Sequence, residues 1–181
     1  MGLRYPFPSM FDRGKGEGFV AKIDCHMHVN GGSRMWSWGD NDLIIEAADR
    51  LETDQLCVSI PVTRGMPSME EVRRCNHGVL EAMRRYRDRI LGYCYICPGY
   101  SEADDEIDRC LDRGMIGIKL YNQYKICDPA VRPTLEKAIR ERVPILEHAG
   151  YPSTLESWAA QPKRSHAGDF GEAAGDIRRP C

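Results

Sequence analysis

The chain has 181 residues, of which 42% are hydrophobic and 29% charged, and its formal net charge is -2. This composition is typical of a folded domain, and it provides no basic excess for a nucleic-acid partner. Because the sequence contains neither a signal-peptide pattern nor an apolar run of membrane-spanning length, we expect one domain over residues 1–181, a cytoplasmic location without membrane partners, and a small-molecule substrate.

Short apolar runs typical of strands recur along the chain, and the longer segments between them have helical periodicity. The runs are Phe19–Cys25, Gln55–Pro61, Arg89–Cys97, Met115–Tyr121 and Val143–Ala149. This alternation predicts an α/β fold with a parallel sheet. The first run is followed by a pair of histidines, and the glycine-rich phosphate turn of a doubly wound sheet is missing there. Histidines at the carboxyl end of a parallel strand lie where a (β/α)8 barrel builds its active site.

Capping signals place three of the predicted helices. Ser68 and Glu71 form a capping-box pattern at the start of a helix that we expect to run to about Arg87. Ser101 is expected to open the next helix, which Gly114 ends. The third begins at Asp128-Pro129, and its apolar face consists of Leu135, Ala138 and Ile139.

The cysteines are interpreted as reduced core residues, because most of them lie in apolar strand runs or helical runs. The residues concerned are Cys25, Cys57, Cys75, Cys94, Cys97 and Cys110. Cys94 and Cys97 form a CxxC pair, but no second pair follows at zinc-ribbon spacing. We therefore expect no structural zinc at that pair.

His26 and His28 are the strongest candidates for metal ligands. They lie two residues apart, and residues at that spacing in a strand share a face. Two neutral imidazoles suit zinc and similar divalent ions and leave coordination positions for a carboxylate and a water. The alternative is a pair of loop histidines without a ligand.

Two further candidates lie at later strands. His148 stands near the end of the fifth run, and Lys119 lies inside the otherwise apolar fourth run. A buried lysine is costly unless it is paired or modified. It is either carbamylated to bridge two metals, or it reaches the cleft and pairs with Asp24 or Glu147.

The ordered motifs IDCHMH, GIKLY and VPILEHAG resemble the amidohydrolase-related group of the amidohydrolase superfamily, close to the aminocarboxymuconate-semialdehyde decarboxylase type. The resemblance implies a (β/α)8 barrel with His26, His28 and His148 as ligands of a divalent metal, expected to be zinc. It also implies a catalytic position for Lys119.

A complete member of that group has eight strands, with a further histidine after the sixth strand and an aspartate after the eighth. This chain is expected to hold about five βα units, as a C-terminally truncated member that is inactive in isolation. Its open strand edges would favour association into a homo-oligomer.

Three functions are compatible with the sequence. The first is hydrolysis, in which metal-activated water attacks an amide, ester or lactone. The second is non-oxidative decarboxylation of an unsaturated or aromatic acid, with Arg34 and Trp36 binding the substrate. The third is a non-catalytic fragment that binds a metal or a partner.

Overall fold

The computed structural model describes residues 21–30, 38–150, 154, 156, 159 and 161–178. Over these residues, parallel strands alternate with helices, and the strands pair in the order β1-β2-β3-β4-β5. Their bounds are Ile23–His28 (β1), Gln55–Ser59 (β2), Ile90–Tyr95 (β3), Gly117–Leu120 (β4) and Ile145–Glu147 (β5). Neighbours in sequence are therefore neighbours in the sheet, as in a barrel and unlike a doubly wound sheet. The prediction of an α/β partial (β/α)8 barrel with five strands is confirmed.

The helices that follow the strands are Trp38–Arg50 (α1), Met69–Arg85 (α2), Ala103–Leu111 (α3), Arg132–Glu141 (α4) and Ala167–Arg178 (α5). The capping box at α2 is present in both directions between Ser68 and Glu71. The expected start of α3 at Ser101 is wrong, because the N-cap is Glu102 and the Ser101 hydroxyl bonds to the Glu102 carboxylate instead. Before α4, the Asp128 side chain caps a short 3-10 turn, Pro129–Val131, by accepting from the Ala130 amide.

Helix α1 lies between the first two strands of the sheet. Its Asn41 side chain is buried and makes two hydrogen bonds of 2.9 Å with the backbone of Asn30, one to the amide and one to the carbonyl. These bonds fix the helix start to the chain just after β1. Such a contact is tertiary, so helical periodicity alone does not reveal it.

The helices cover one face of the sheet and bury a continuous apolar core against it. Asn76 of α2 accepts from the Tyr95 amide at 2.7 Å and donates to the buried Glu106 carboxylate of α3 at 2.7 Å. Two sequence expectations about this core are wrong. Ile139 is 56% exposed, and Cys25 is exposed because β1 is an edge strand. Within the described residues every cysteine is free, and no helix has the length and apolarity to span a membrane.

We predict that Gly117→Ala destabilises the protein. A Cβ at this position would lie 2.6 Å from the Pro144 carbonyl oxygen and 2.7 Å from the Tyr93 ring, so the backbone must shift. We expect a loss of about 1–3 kcal/mol in the free energy of unfolding, measured by urea denaturation. Gly171→Ala in α5 is the control, because no atom lies within 4 Å of its added Cβ. Equal stability of the two variants would contradict the prediction.

Candidate metal centre

A bulge in β1 sets the position of His26. Asp24 pairs with Leu56 and Met27 pairs with Val58, so β1 advances three residues where β2 advances two. The Asp24 carboxylate accepts from the His26 amide at 2.9 Å and holds the extra residue in place. The His26 and His28 rings then lie edge to face with centroids 5.3 Å apart. Bulges commonly redirect a side chain beside an active site.

His28 is oriented by the neighbouring strand. Its Nδ1 lies 3.1 Å from the Ser59 carbonyl oxygen, which can only accept a hydrogen bond. The proton is therefore assigned to Nδ1, and Nε2 keeps a free lone pair. This arrangement is the usual way in which a protein fixes the tautomer of a metal-binding histidine.

Lys119 lies on β4 and reaches towards His26 of β1. Its side chain is fully buried, and its Nζ lies 3.3 Å from Nε2 of His26. Burial lowers the pKa of Lys119 to about 8. Burial also lowers the pKa of His26, with a further contribution from Lys119. The site therefore favours a neutral imidazole at His26, which is the form that binds a metal ion.

Glu147 is the acidic partner of Lys119 at the end of β5. It is 8% exposed, and one carboxyl oxygen accepts from the Ser165 hydroxyl at 3.2 Å. The other oxygen, Oε2, is buried without a hydrogen-bond partner among the described residues. Burial raises the pKa of Glu147 to about 8, and it outweighs the opposing effects of Ser165 and Lys119. Both Lys119 and Glu147 can therefore gain or lose a proton close to neutral pH.

His148 follows β5 and stacks on the ring of Tyr121, with centroids 4.2 Å apart. Nη2 of Arg164 donates to its Nε2 at 2.6 Å. Burial, followed by the charge of Arg164, lowers the pKa of His148 to about 4. His148 is therefore neutral, but the nitrogen that would bind a metal is engaged by Arg164. Arg164 is not predictable as a site residue, because Gln161-Pro-Lys-Arg-Ser carries no recognisable motif.

The donor chemistry fits a divalent ion at His26 and His28, since both rings can present an unprotonated nitrogen. The three histidines are not at ligand spacing in this arrangement. Among the described residues, the ligand atoms that all lie within 4.8 Å of one another belong to Cys127, Asp169 and Glu172.

Asp169 and Glu172 of this cluster lie in α5, and Cys127 lies in the segment between β4 and α4. Asp169 accepts from the Lys125 ammonium at 3.1 Å and from the His166 amide at 2.8 Å. Its carboxylate is thus already paired with a cation. The substrate-binding candidates Arg34 and Trp36 lie outside the described residues.

Comparison with known proteins gives structural similarity but no sequence match. No family model matches the chain, and no curated protein matches it in sequence. The solved 2,6-dihydroxybenzoate decarboxylase from Rhizobium is similar in structure, with a TM-score of 0.56 and 18% identity, over 80% of this chain and 55% of that one. An amidohydrolase II has a TM-score of 0.61 and 14% identity, over 75% of this chain and 52% of that one.

A 5-carboxyvanillate decarboxylase from Novosphingobium aromaticivorans, solved with bound manganese and a nitrobenzoic acid, has a TM-score of 0.59 and 16% identity. The match covers 90% of this chain and 61% of that one. This chain is thus structurally similar to decarboxylases and an amidohydrolase of the amidohydrolase superfamily, and it spans about half of their length. At these identities the similarity establishes the fold, and chemistry must be argued from the site.

We predict that Glu147→Gln changes the pH dependence of stability in the presence of EDTA. A carboxyl whose pKa rises from 4.5 to about 8 takes up a proton on folding. Its contribution to the free energy of unfolding is complete below pH 4.5 and is lost as the pH rises towards 8. The wild type should therefore lose about 1–3 kcal/mol over this range that Glu147→Gln does not lose, measured by urea denaturation at each pH. Glu70→Gln, at an exposed position of α2, should follow the wild type. Parallel profiles for all three proteins would refute a buried neutral carboxyl.

Proposed function

We propose that this chain forms the metal-binding half of the active site of a non-oxidative decarboxylase that acts on hydroxylated aromatic acids. The observation that carries the proposal is the histidine pair of β1, in which Ser59 orients His28 and the buried Lys119 lies 3.3 Å from His26. The structural similarity to decarboxylases of aromatic acids supports the same reaction class.

His26 and His28 would hold the ion, and His148 would join them once its Nε2 is free. Two similar structures, a dihydroxybenzoic acid decarboxylase from Polaromonas and the 5-carboxyvanillate decarboxylase, were solved with bound manganese, which supports a divalent ion of that kind over the zinc expected from the sequence. When bound, such an ion supplies Lewis-acid polarisation of substrate oxygens.

The chain's own residues meet the proton requirement of decarboxylation. When the bond between the ring carbon and the carboxylate breaks, the electron pair stays on the ring carbon, which must then take up a proton. Lys119 and Glu147 both have pKa values near 8 because of burial, and they hold protons beside the histidines. General acids are most effective when their pKa lies near the operating pH. We assign Lys119 the role of proton donor and Glu147 that of its reservoir.

Decarboxylation is favoured over the hydrolysis of an amide, ester or lactone, which the sequence first suggested. Most of the solved structures similar to this chain are decarboxylases of aromatic acids, and the buried Lys119 and Glu147 can supply the proton that decarboxylation requires. The similarity to an amidohydrolase II keeps hydrolysis as the outcome to test against.

We predict that His26→Ala and His28→Ala each weaken Mn2+ binding by at least about tenfold, measured by electron paramagnetic resonance titration of free Mn2+. His77→Ala is the matched control, because His77 is exposed on α2 and its Nε2 lies 3.6 Å from the Glu81 carboxylate, on a helix away from the strand pair. Unchanged Mn2+ affinity in both strand variants would remove the basis of the proposal.

The substrate class is tested by binding. The Mn2+-loaded chain should bind 2,6-dihydroxybenzoate, measured by calorimetry, and this binding should fall in His26→Ala and His28→Ala but not in His77→Ala. Carbon dioxide release and the hydrolysis of a simple lactone and a simple ester are followed in parallel. Hydrolysis without binding of the aromatic acid would replace the proposal with the hydrolase function.

A further inference from the structure

Arg164 is held by the backbone at the mouth of the candidate site. Ser165 forms a parallel bridge with Ala149, and its carbonyl accepts from the Gly150 amide at 2.9 Å. These contacts fix the residue before Ser165 beside the end of β5. The Arg164 guanidinium reaches His148, which is stacked on Tyr121.

The charge of Arg164 is not balanced within the described part of the chain. A guanidinium is always protonated and can only donate hydrogen bonds. Among the described residues its Nη2 donates to the imidazole nitrogen of His148, and its Nε is buried without a hydrogen-bond partner. No ion pair with a carboxylate is present for Arg164 among the described residues, and Lys119 adds a second cation near His148.

A partly buried cation without a counterion is costly, so the arrangement favours an anionic ligand. Carboxylates match the guanidinium fork, because two parallel N–H donors can meet both oxygens of one carboxylate. The neighbouring Tyr121–His148 stack offers a flat surface beside the same guanidinium. An aromatic acid fits this arrangement, because its carboxylate can bind the guanidinium while its ring lies against the stack.

We propose that Arg164 binds the carboxylate of the substrate. The guanidinium then donates to the carboxylate instead of to His148, and Nε2 of His148 is released. In the ligand-free protein Arg164 donates to His148, so that nitrogen is unavailable as a metal ligand. When a carboxylate accepts the same guanidinium protons, His148 can turn its lone pair to the ion. The inference rests on the proposed function and adds a residue that selects carboxylates.

Release of His148 couples two binding events. If a carboxylate frees a metal ligand, metal and carboxylate must each tighten the binding of the other by the same factor. Without Arg164 this coupling disappears, because His148 is then free in both states. The coupling distinguishes a substrate-binding arginine from one that only stabilises the end of β5.

The test uses benzoate and Mn2+ with the wild-type chain, Arg164→Met and Lys163→Met. Lys163 is the matched control, because it is the adjacent cation and its Nζ lies instead over the Tyr124 ring at 4.6 Å. Benzoate binding to the metal-free chain, measured by calorimetry, should weaken by at least about tenfold in Arg164→Met and remain within about twofold in Lys163→Met. Benzoate should also tighten Mn2+ binding in the wild type and in Lys163→Met, but not in Arg164→Met.

Thermal unfolding checks that each variant is folded. If Arg164→Met is not folded, Arg164→Lys, which keeps the charge without the fork, replaces it.

Each result has one consequence. Benzoate binding that is equal in the wild type and Arg164→Met overturns Arg164 as the carboxylate site. Loss of benzoate binding without any effect of benzoate on Mn2+ affinity overturns the release of His148. If no variant binds Mn2+, the proposed function fails, and the metal-free benzoate measurement still decides the role of Arg164.

Discussion

A fully buried lysine determines the arrangement of the whole candidate site. Lys119 lies in β4, between β3 and the edge strand β5, and its side chain is fully buried. Burying such a group is tolerated only when polar atoms surround it. Those atoms come from the two edge strands, as His26 on β1 and Glu147 on β5, so the curvature of the sheet that brings its edges together is a requirement for placing Lys119.

Residues with local signals were predictable from the sequence. The strands follow from apolar runs, and the start of α2 follows from Ser68 and Glu71, because a capping box is made within four consecutive residues. The spacing of His26 and His28 predicted a shared face, and the edge-to-face contact of their rings agrees with that geometry. Their role as metal ligands stays a prediction, as do those of His148 and Lys119.

Features that depend on distant contacts were not predictable. The bulge of β1 exists because β1 and β2 pair out of step between Asp24 and Met27, and pairing across a sheet leaves no mark in the sequence of one strand. The start of α1 depends on Asn41 reaching back to Asn30. Arg164 reaches His148 from sixteen residues away, through a bridge between Ala149 and Ser165 that only the folded chain reveals.

Ser165 connects the chain segments that carry the partners of Lys119 and Arg164, the two cations of the site. Its buried hydroxyl accepts from the Ile126 amide at 2.8 Å and donates to Glu147 at 3.2 Å, while its backbone bonds to Gly150. One residue thus connects the segment after β4, the end of β5 and the start of α5. Ser165 therefore links Glu147, the acidic partner of Lys119, to Arg164, which directly precedes it in the chain. The spacing between the carboxylate-binding arginine and the proton-donating lysine that we propose is therefore set by the fold rather than by either side chain.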